Sequence, residues 1–203
     1  MMRKATSTIF YLAIVIGMIV LSLPTTGMGK SGWQQFQNHG LALSYPSEWK
    51  RMSPKSTHKI QGMLNRQFLE MGNTEVSVVG LDVLLNLPVF RIMITKERFA
   101  SVPSPDYLIK ERGKFLAEAK MRGGVKSYGE MKPLTINGHS AIEFQDVDKG
   151  AQGYSSSVRL LCGKDTWHIT FTGNTKAAYQ QYYPKIEQIV HSMSLVEQCE
   201  DGR

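Results

Sequence analysis

The residues best suited to chemistry in this chain are five histidines, two cysteines, a carboxylate group near position 146 and a run of serines. His39, His58, His139, His168 and His191 do not fall in the H-x-x-x-H or H-E-x-x-H spacing that aims two imidazoles at one metal ion. His168 sits on the polar face of an alternating segment, where it would meet a ligand if that face were open. A lone strand histidine reads first as a surface residue. Asp146 and Asp148, with Glu143 close by, offer oxygen ligands for a hard cation. Strand alternation sends the two aspartates to one face and Glu143 to the other, which argues against a shared site. Glu143 is instead expected to pair across the sheet with Arg159. Ser155, Ser156 and Ser157 lack a G-x-S-x-G elbow and read as a sheet-edge or loop run. Neither cysteine has the nearby histidine and helix start that would lower a thiol pKa. Tyr179, Tyr182 and Tyr183 are candidates to line a groove, with packing of a helix on a sheet as the plainer reading. No catalytic, cofactor or metal site is assigned, and the chain is expected not to be an enzyme.

The elements that must position these side chains follow from hydrophobic periodicity. Phe36–Gly40 and Leu41–Tyr45 predict two short strands or one bent one, with Pro46 at a strand end because it cannot donate to a ladder. Thr57 is expected to cap a helix whose face carries Ile60, Met63, Leu64, Phe68 and Met71, ended by Gly72-Asn73. Residues 76–87 read as a strand followed by a loop, since Gly80 and Asp82 interrupt the apolar run. Phe90, Ile92 and Ile94 alternate as a half-buried strand. Ser104-Pro105 opens a second helix, with Tyr107, Leu108, Phe115, Leu116 and Ala119 as its apolar side. From Tyr128 the pattern is β: strands at 128–136, 141–147, 155–162 and 166–172, with Asn137-Gly138 as a hairpin turn. A turn at Lys164-Asp165 would set Cys162 opposite Trp167, Leu160 opposite Ile169 and Val158 opposite Phe171. The last helix spans 176–193, with Pro184 expected to kink or restart it, and Ser194–Val196 is a candidate short strand. The order predicts an α+β fold: helices packed on an antiparallel sheet.

Residues 1–29 have the order of a cleavable secretory signal. Arg3 and Lys4 precede an uncharged apolar run at 9–23; Pro24 breaks it, and Gly27 and Gly29 put small side chains at −3 and −1 of a cut after Gly29. A retained anchor is the alternative, but a spanning helix needs about 20 apolar residues. The expected mature unit, residues 30–203, is a single domain that is periplasmic or secreted, with no stable membrane anchor. Loss of Arg3 and Lys4 takes the net charge from +7 to +5. The basic residues are interspersed with acids, so no nucleic-acid arm is present. In an oxidising compartment Cys162 and Cys199 are a candidate disulfide. A buried free Cys162 with a loose Cys199 is the alternative, because sequence does not give the Cα separation.

Four segments carry a family resemblance. Gly40-Leu-Ala-Leu-Ser-Tyr-Pro-Ser-Glu-Trp49 resembles the opening of PsbP-like proteins. Gly138-His-Ser-Ala-Ile-Glu-Phe144 and Gly163-Lys-Asp-Thr-Trp-His-Ile-Thr-Phe171 are similar to two of their strands, and Tyr182–Leu195 to their final helix. The matches span residues 36–195; residues 52–88 depart most, and the helix at 57–71 reads there as an insertion. The resemblance implies the αβα sandwich shared by the extrinsic photosystem II subunit, exported bacterial relatives and a eukaryotic Ran-binding import regulator. Such diversity gives the fold little functional weight. It favours an exported, non-catalytic accessory or binding protein that contacts another envelope or extracellular protein. A small-ligand or metal carrier with a pocket between sheet and helix is the second expectation, and a hydrolase with a dispersed active site the third.

Overall fold

Among the described residues, ten strands organise the molecule around two sheets. The computed structural model describes residues 32–70, 72–150, 153–196 and Cys199. The segment read as an export signal, with its cut after Gly29, lies outside these residues, as does Met71.

Strands β1 (Trp33–Asn38) and β2 (Leu41–Pro46) form a hairpin, so the opening segment is two strands. His39 and Gly40 turn it with φ of 52° and 80°, the positive pair that a two-residue primed turn requires. β10 (Ser194–Leu195) joins β2 to complete a small three-stranded sheet. The large sheet is antiparallel and runs β3 (Lys50–Arg51), β4 (Val76–Asn86), β5 (Phe90–Phe99), β9 (Asp165–Gly173), β8 (Tyr154–Cys162), β7 (His139–Asp148), β6 (Met131–Ile136). One face is covered by the small sheet and by α3 (Lys176–Ser192). The other is covered by α1 (Pro54–Glu70), packed on β4, and by α2 (Pro105–Met121), packed over Met131, Ile142 and Val147. This is an α+β sandwich of helices on both faces of an antiparallel sheet.

The main core lies under α3. Leu160, Trp167, Ile169 and Phe171 are fully buried there with Ile92 and Ile94 from β5. The Trp167 indole N–H would be a buried unmet donor, but it donates to the His39 carbonyl at 2.8 Å, which ties the two sheets together. α3 approaches β9 closely because Gly173 has no side chain: a Cβ there would lie 2.6 Å from the Tyr179 amide nitrogen.

Several sequence expectations need correction. Ser53, not Thr57, caps α1: its hydroxyl accepts from the Ser56 amide at 3.3 Å, while Thr57 lies inside the first turn and donates to the Pro54 carbonyl. β4 continues through Gly80 and Asp82 as one strand. A bulge between Val78 and Gly80 absorbs the irregularity, and buried Asp82 is neutralised by Arg51 at 2.6 Å and accepts a hydrogen bond from Asn38 at 2.8 Å. Of the apolar side expected for α2, Leu108 and Leu116 are buried, whereas Tyr107 and Phe115 are exposed. β6 starts at Met131, not Tyr128. α3 is continuous through Pro184, which is exposed, as is Gln180, so water can take the carbonyl that proline leaves unbonded.

The β8–β9 register is shifted by two residues from expectation. Cys162 faces Asp165, Leu160 faces Trp167 and Val158 faces Ile169, because the two turn residues are Gly163 and Lys164. Gly163 has φ 58°, as the first position of a II′ turn demands, and only glycine adopts it without strain. A shift of two keeps every side chain on its expected face.

Candidate functional site

The large sheet is wider than the helix above it. Among the described residues α3 packs chiefly over β2, β9 and β8, and towards β6 and β7 the cover thins: Ile136 and Ala141 are buried, but Leu134 and Glu143 are only half-buried. The result is a cleft of about 780 Å³ between α3 and β6–β8, within the usual range for ligand sites. Its floor is Leu134 from β6, Glu143 from β7, and Ser156 and Val158 from β8. Its wall is one stripe of α3: Tyr179, Tyr183, Glu187 and Val190, at helical spacings of three and four, flanked by Gln180 and His191.

The three tyrosines divide as helical geometry dictates. Tyr179 and Tyr183, four apart, face the cleft, and Tyr179 donates its hydroxyl hydrogen to Ser156 Oγ at 2.7 Å. Tyr182 points inward, against Phe90 at 4.9 Å and Trp49 at 5.9 Å between ring centroids, and accepts from Asn86 Nδ2. Thus the groove reading holds for two of the three, and the packing reading for the third. His191 Nδ1 lies 2.7 Å from the Glu187 carbonyl, so that nitrogen carries the proton of a neutral ring and Nε2 is left as acceptor. Among the described residues, no hydrogen bond joins the side chains of Glu143, Glu187 and His191 to one another, and no group of three His, Cys, Asp or Glu residues is placed to hold a metal ion. The mouth is bordered by the sheet edge β6. Asn137, in the β6–β7 turn, donates to the Met193 carbonyl and so fixes the C-terminal end of α3 against that turn.

The expected Glu143–Arg159 pair does not form. Glu143 faces Val158, on the α3 side, while Arg159 faces Ile142 and His168 on the opposite side. The partner of Arg159 is Glu97 from β5: Arg159 Nη2 lies 3.0 Å from Glu97 Oε2. His168 belongs to this buried group and is not a surface residue; its ring is 3.2 Å from Arg159 Nη2 and 3.6 Å from Glu97 Oε1. Because arginine can only donate, His168 Nδ1 accepts and the neutral ring carries its hydrogen on Nε2, near Thr170 Oγ1. Burial, reinforced by Arg159, pushes the His168 pKa down to about 4. Burial pulls the Glu97 pKa upward, but Arg159, His168 and Thr95 together outweigh it and hold the carboxyl at about 2. Ser155, Ser156 and Ser157 lie in the interior strand β8, not at an edge or in a loop. His39 approaches Asp82 at 3.4 Å. His58 lies exposed on α1, and His139 Nδ1 lies 3.7 Å from Cys199 Sγ. Asp148 accepts from the Gly150 amide in the β7–β8 loop. Cys162 and Cys199 are joined, with a Cα–Cα distance of 4.9 Å.

No protein-family model matches the chain, and no curated protein matches it in sequence. Solved structures do match. The solution structure of cyanobacterial PsbP (CyanoP) from Synechocystis sp. PCC 6803 superposes with a TM-score of 0.52 at 10% identity, covering 86% of this chain and 98% of that one. A protein of unknown function from Pseudomonas aeruginosa, PA94, described as a putative regulator, gives 0.39 at 13% identity over 79% of this chain and 94% of its own. A protein from Bacteroides thetaiotaomicron VPI-5482 gives 0.39 at 12% identity over 82% and 49%. The fold is PsbP-like.

Proposed function

We propose that this chain is an exported, non-catalytic accessory protein that acts by holding a segment of another envelope or extracellular protein in the cleft beside α3. The lining of the cleft carries the reading. Two tyrosine rings and aliphatic side chains run along it, with the carboxylate of Glu143 on the floor and that of Glu187 on the wall. Tyrosine supplies contact area at low entropic cost. Two carboxylates among aromatic and aliphatic side chains suit an aliphatic side chain with a lysine or arginine beside it. The edge strand β6 contains Lys132 and Pro133, which oppose addition of a partner strand. Insertion of side chains into the cleft is therefore favoured over extension of the sheet.

Gln180 is exposed on the cleft wall, so Gln180→Trp should fill the mouth without entering the core. The wild-type protein is expected to recover a reproducible partner from the native envelope fraction, and the Q180W protein to lose it. Equal recovery by both, or none by the wild type, would overturn the reading. The cleft volume also suits a small ligand. A thermal-shift screen that finds a compound whose effect Q180W abolishes would assign the cleft to a carrier role instead.

Export rests on the pattern of residues 1–29. Among the described residues no helix is long and apolar enough to cross a membrane. Protein taken from the envelope or medium is expected to begin at Lys30, as N-terminal sequencing would read. An N-terminus at Met1 or Met2 would count against cleavage.

A further inference from the structure

The cleft beside α3 runs against the charge of the chain. The sequence carries 24 lysines and arginines against 17 acids. Elsewhere Asp82 is paired with Arg51, Glu97 with Arg159 and Asp165 with Arg98. The cleft lining, among the described residues, has no lysine or arginine, and its carboxylates, Glu143 and Glu187, form no ion pair with a described residue. Strand register sets these two level with each other. Gly173 pairs with Tyr154 and lies against Tyr179, so Tyr154 and Tyr179 mark the same end of β8 and α3. From 154 to 158, β8 advances about 13 Å to Val158, which faces Glu143. From 179 to 187, α3 advances about 12 Å. It runs the same way, since its far end is held to the β6–β7 turn by Asn137. The approach to the carboxylates is a row of rings: Tyr154 and Tyr179 have centroids 4.9 Å apart, and Tyr179 and Tyr183 6.2 Å apart.

Two carboxylates at one level of a cleft attract a cation between them. Tyrosine faces attract it as well, and the unmatched carbonyls at the C-terminal end of α3 add partial negative charge at that side. The other end is closed to a cation, because Lys176 Nζ already lies 5.6 Å from the Tyr154 centroid. Resting on the reading of the cleft as a docking site for a protein segment, we propose that Glu143 and Glu187 set its specificity: they receive the charged head of one lysine or arginine side chain, at the Asn137 end, while the alkyl stem crosses the rings of Tyr179 and Tyr183. Both side chains suit the site because their stems bury well against apolar surface and leave the head for a polar partner. A glutamate at the same place in the segment would be repelled, which makes the pair a device for rejecting partners as well as for holding one.

The test is titration of the purified protein with short synthetic peptides that carry leucine on either side of one guest position, read by NMR shifts of the Val158, Tyr179 and Tyr183 amides. The lysine and arginine peptides are expected to bind saturably, the glutamine peptide about five- to tenfold more weakly, and the glutamate peptide least. Glu143→Gln and Glu187→Gln should each weaken the lysine and arginine peptides by a similar factor, and together should abolish the preference. Neither carboxylate has an ion-pair partner to lose, so both variants should keep the wild-type urea midpoint. Glu187 is exposed on α3, so E187Q carries the test if E143Q folds poorly. No binding of the lysine peptide, or a preference that both variants retain, would overturn the inference. Binding that Q180W blocks but that is indifferent to the guest residue would overturn it alone and leave the docking site standing. Binding that Q180W leaves unchanged would overturn the docking site, and this inference with it.

Discussion

Glu97→Gln is expected to cost about 3–5 kcal/mol of folding stability, read as a lower urea midpoint, because it removes one side of a buried ion pair and strands the other. Arg159 Nη2 bonds both Glu97 and His168, and their side chains are 8% and 15% exposed. Without the carboxylate, a guanidinium already close to Arg112 would stay charged away from water. The double variant Glu97→Gln, Arg159→Met should regain most of the loss, since a pair replaced by apolar volume is often neutral or better. A single variant as stable as the wild type would mean that solvent, not Glu97, neutralises Arg159.

The same group makes the fold sensitive to acid in two windows. The ring of His168 resists protonation until about pH 4, whereas an unfolded histidine takes a proton near 6.5. The unfolded chain therefore binds the extra proton between pH 6.5 and 4, and stability falls as pH drops through that range. Glu97 has a folded value of about 2 against an ordinary 4.5, so its contribution is present above 4.5 and is lost as pH falls towards 2. Each window is worth on the order of 3 kcal/mol. His168→Gln should flatten the upper window and narrow the lower one, because below pH 4 the protonated ring helps to hold the Glu97 carboxyl low.

How much of this was legible in the sequence depended on the range of the interaction. Local chemistry was readable: Asn137 and Gly138 adopt φ of 48° and 85°, and Ser104 caps α2 ahead of Pro105. Faces were readable too, because alternation placed Val158, Leu160 and Cys162 together, as the core shows. Neighbours were not. Glu97 reaches Arg159 only because β9 lies between β5 and β8, an order that no periodicity encodes. Glu143 looked equally suitable until register put it on the other face. Asp82 looked like an interruption because its partners, Asn38 and Arg51, come from other elements. The cleft was the least legible feature: it exists because the sheet extends past α3, and sheet width is set by the whole chain. The tyrosine stripe was its one visible trace.

The second large effect is expected at the Cys162–Cys199 bridge. Reduction, or the double change Cys162→Ser, Cys199→Ser, should lower stability by about 4 kcal/mol, from the chain entropy released by a sequence separation of 37. The loss should show as a lower urea midpoint in reductant for the wild type and as no further change for the serine variant. The effect should also be local. Cys162 ends β8 in the main core and Cys199 packs against the same cluster, so the bridge fastens the chain after β10 to the sheet. The enclosed segment holds β9 and α3, whose far end carries Val190 and His191 on the cleft wall. Amide exchange in the last turns of α3 should therefore quicken in the serine variant more than in β5, and the variant should bind a cleft partner more weakly. An unchanged midpoint would show that packing of β10 and Met193 already holds that end. The expected loss also bears on compartment. A chain that gains this much from a bond that cytosolic thiols would break is best suited to an oxidising space, in keeping with the export proposed above.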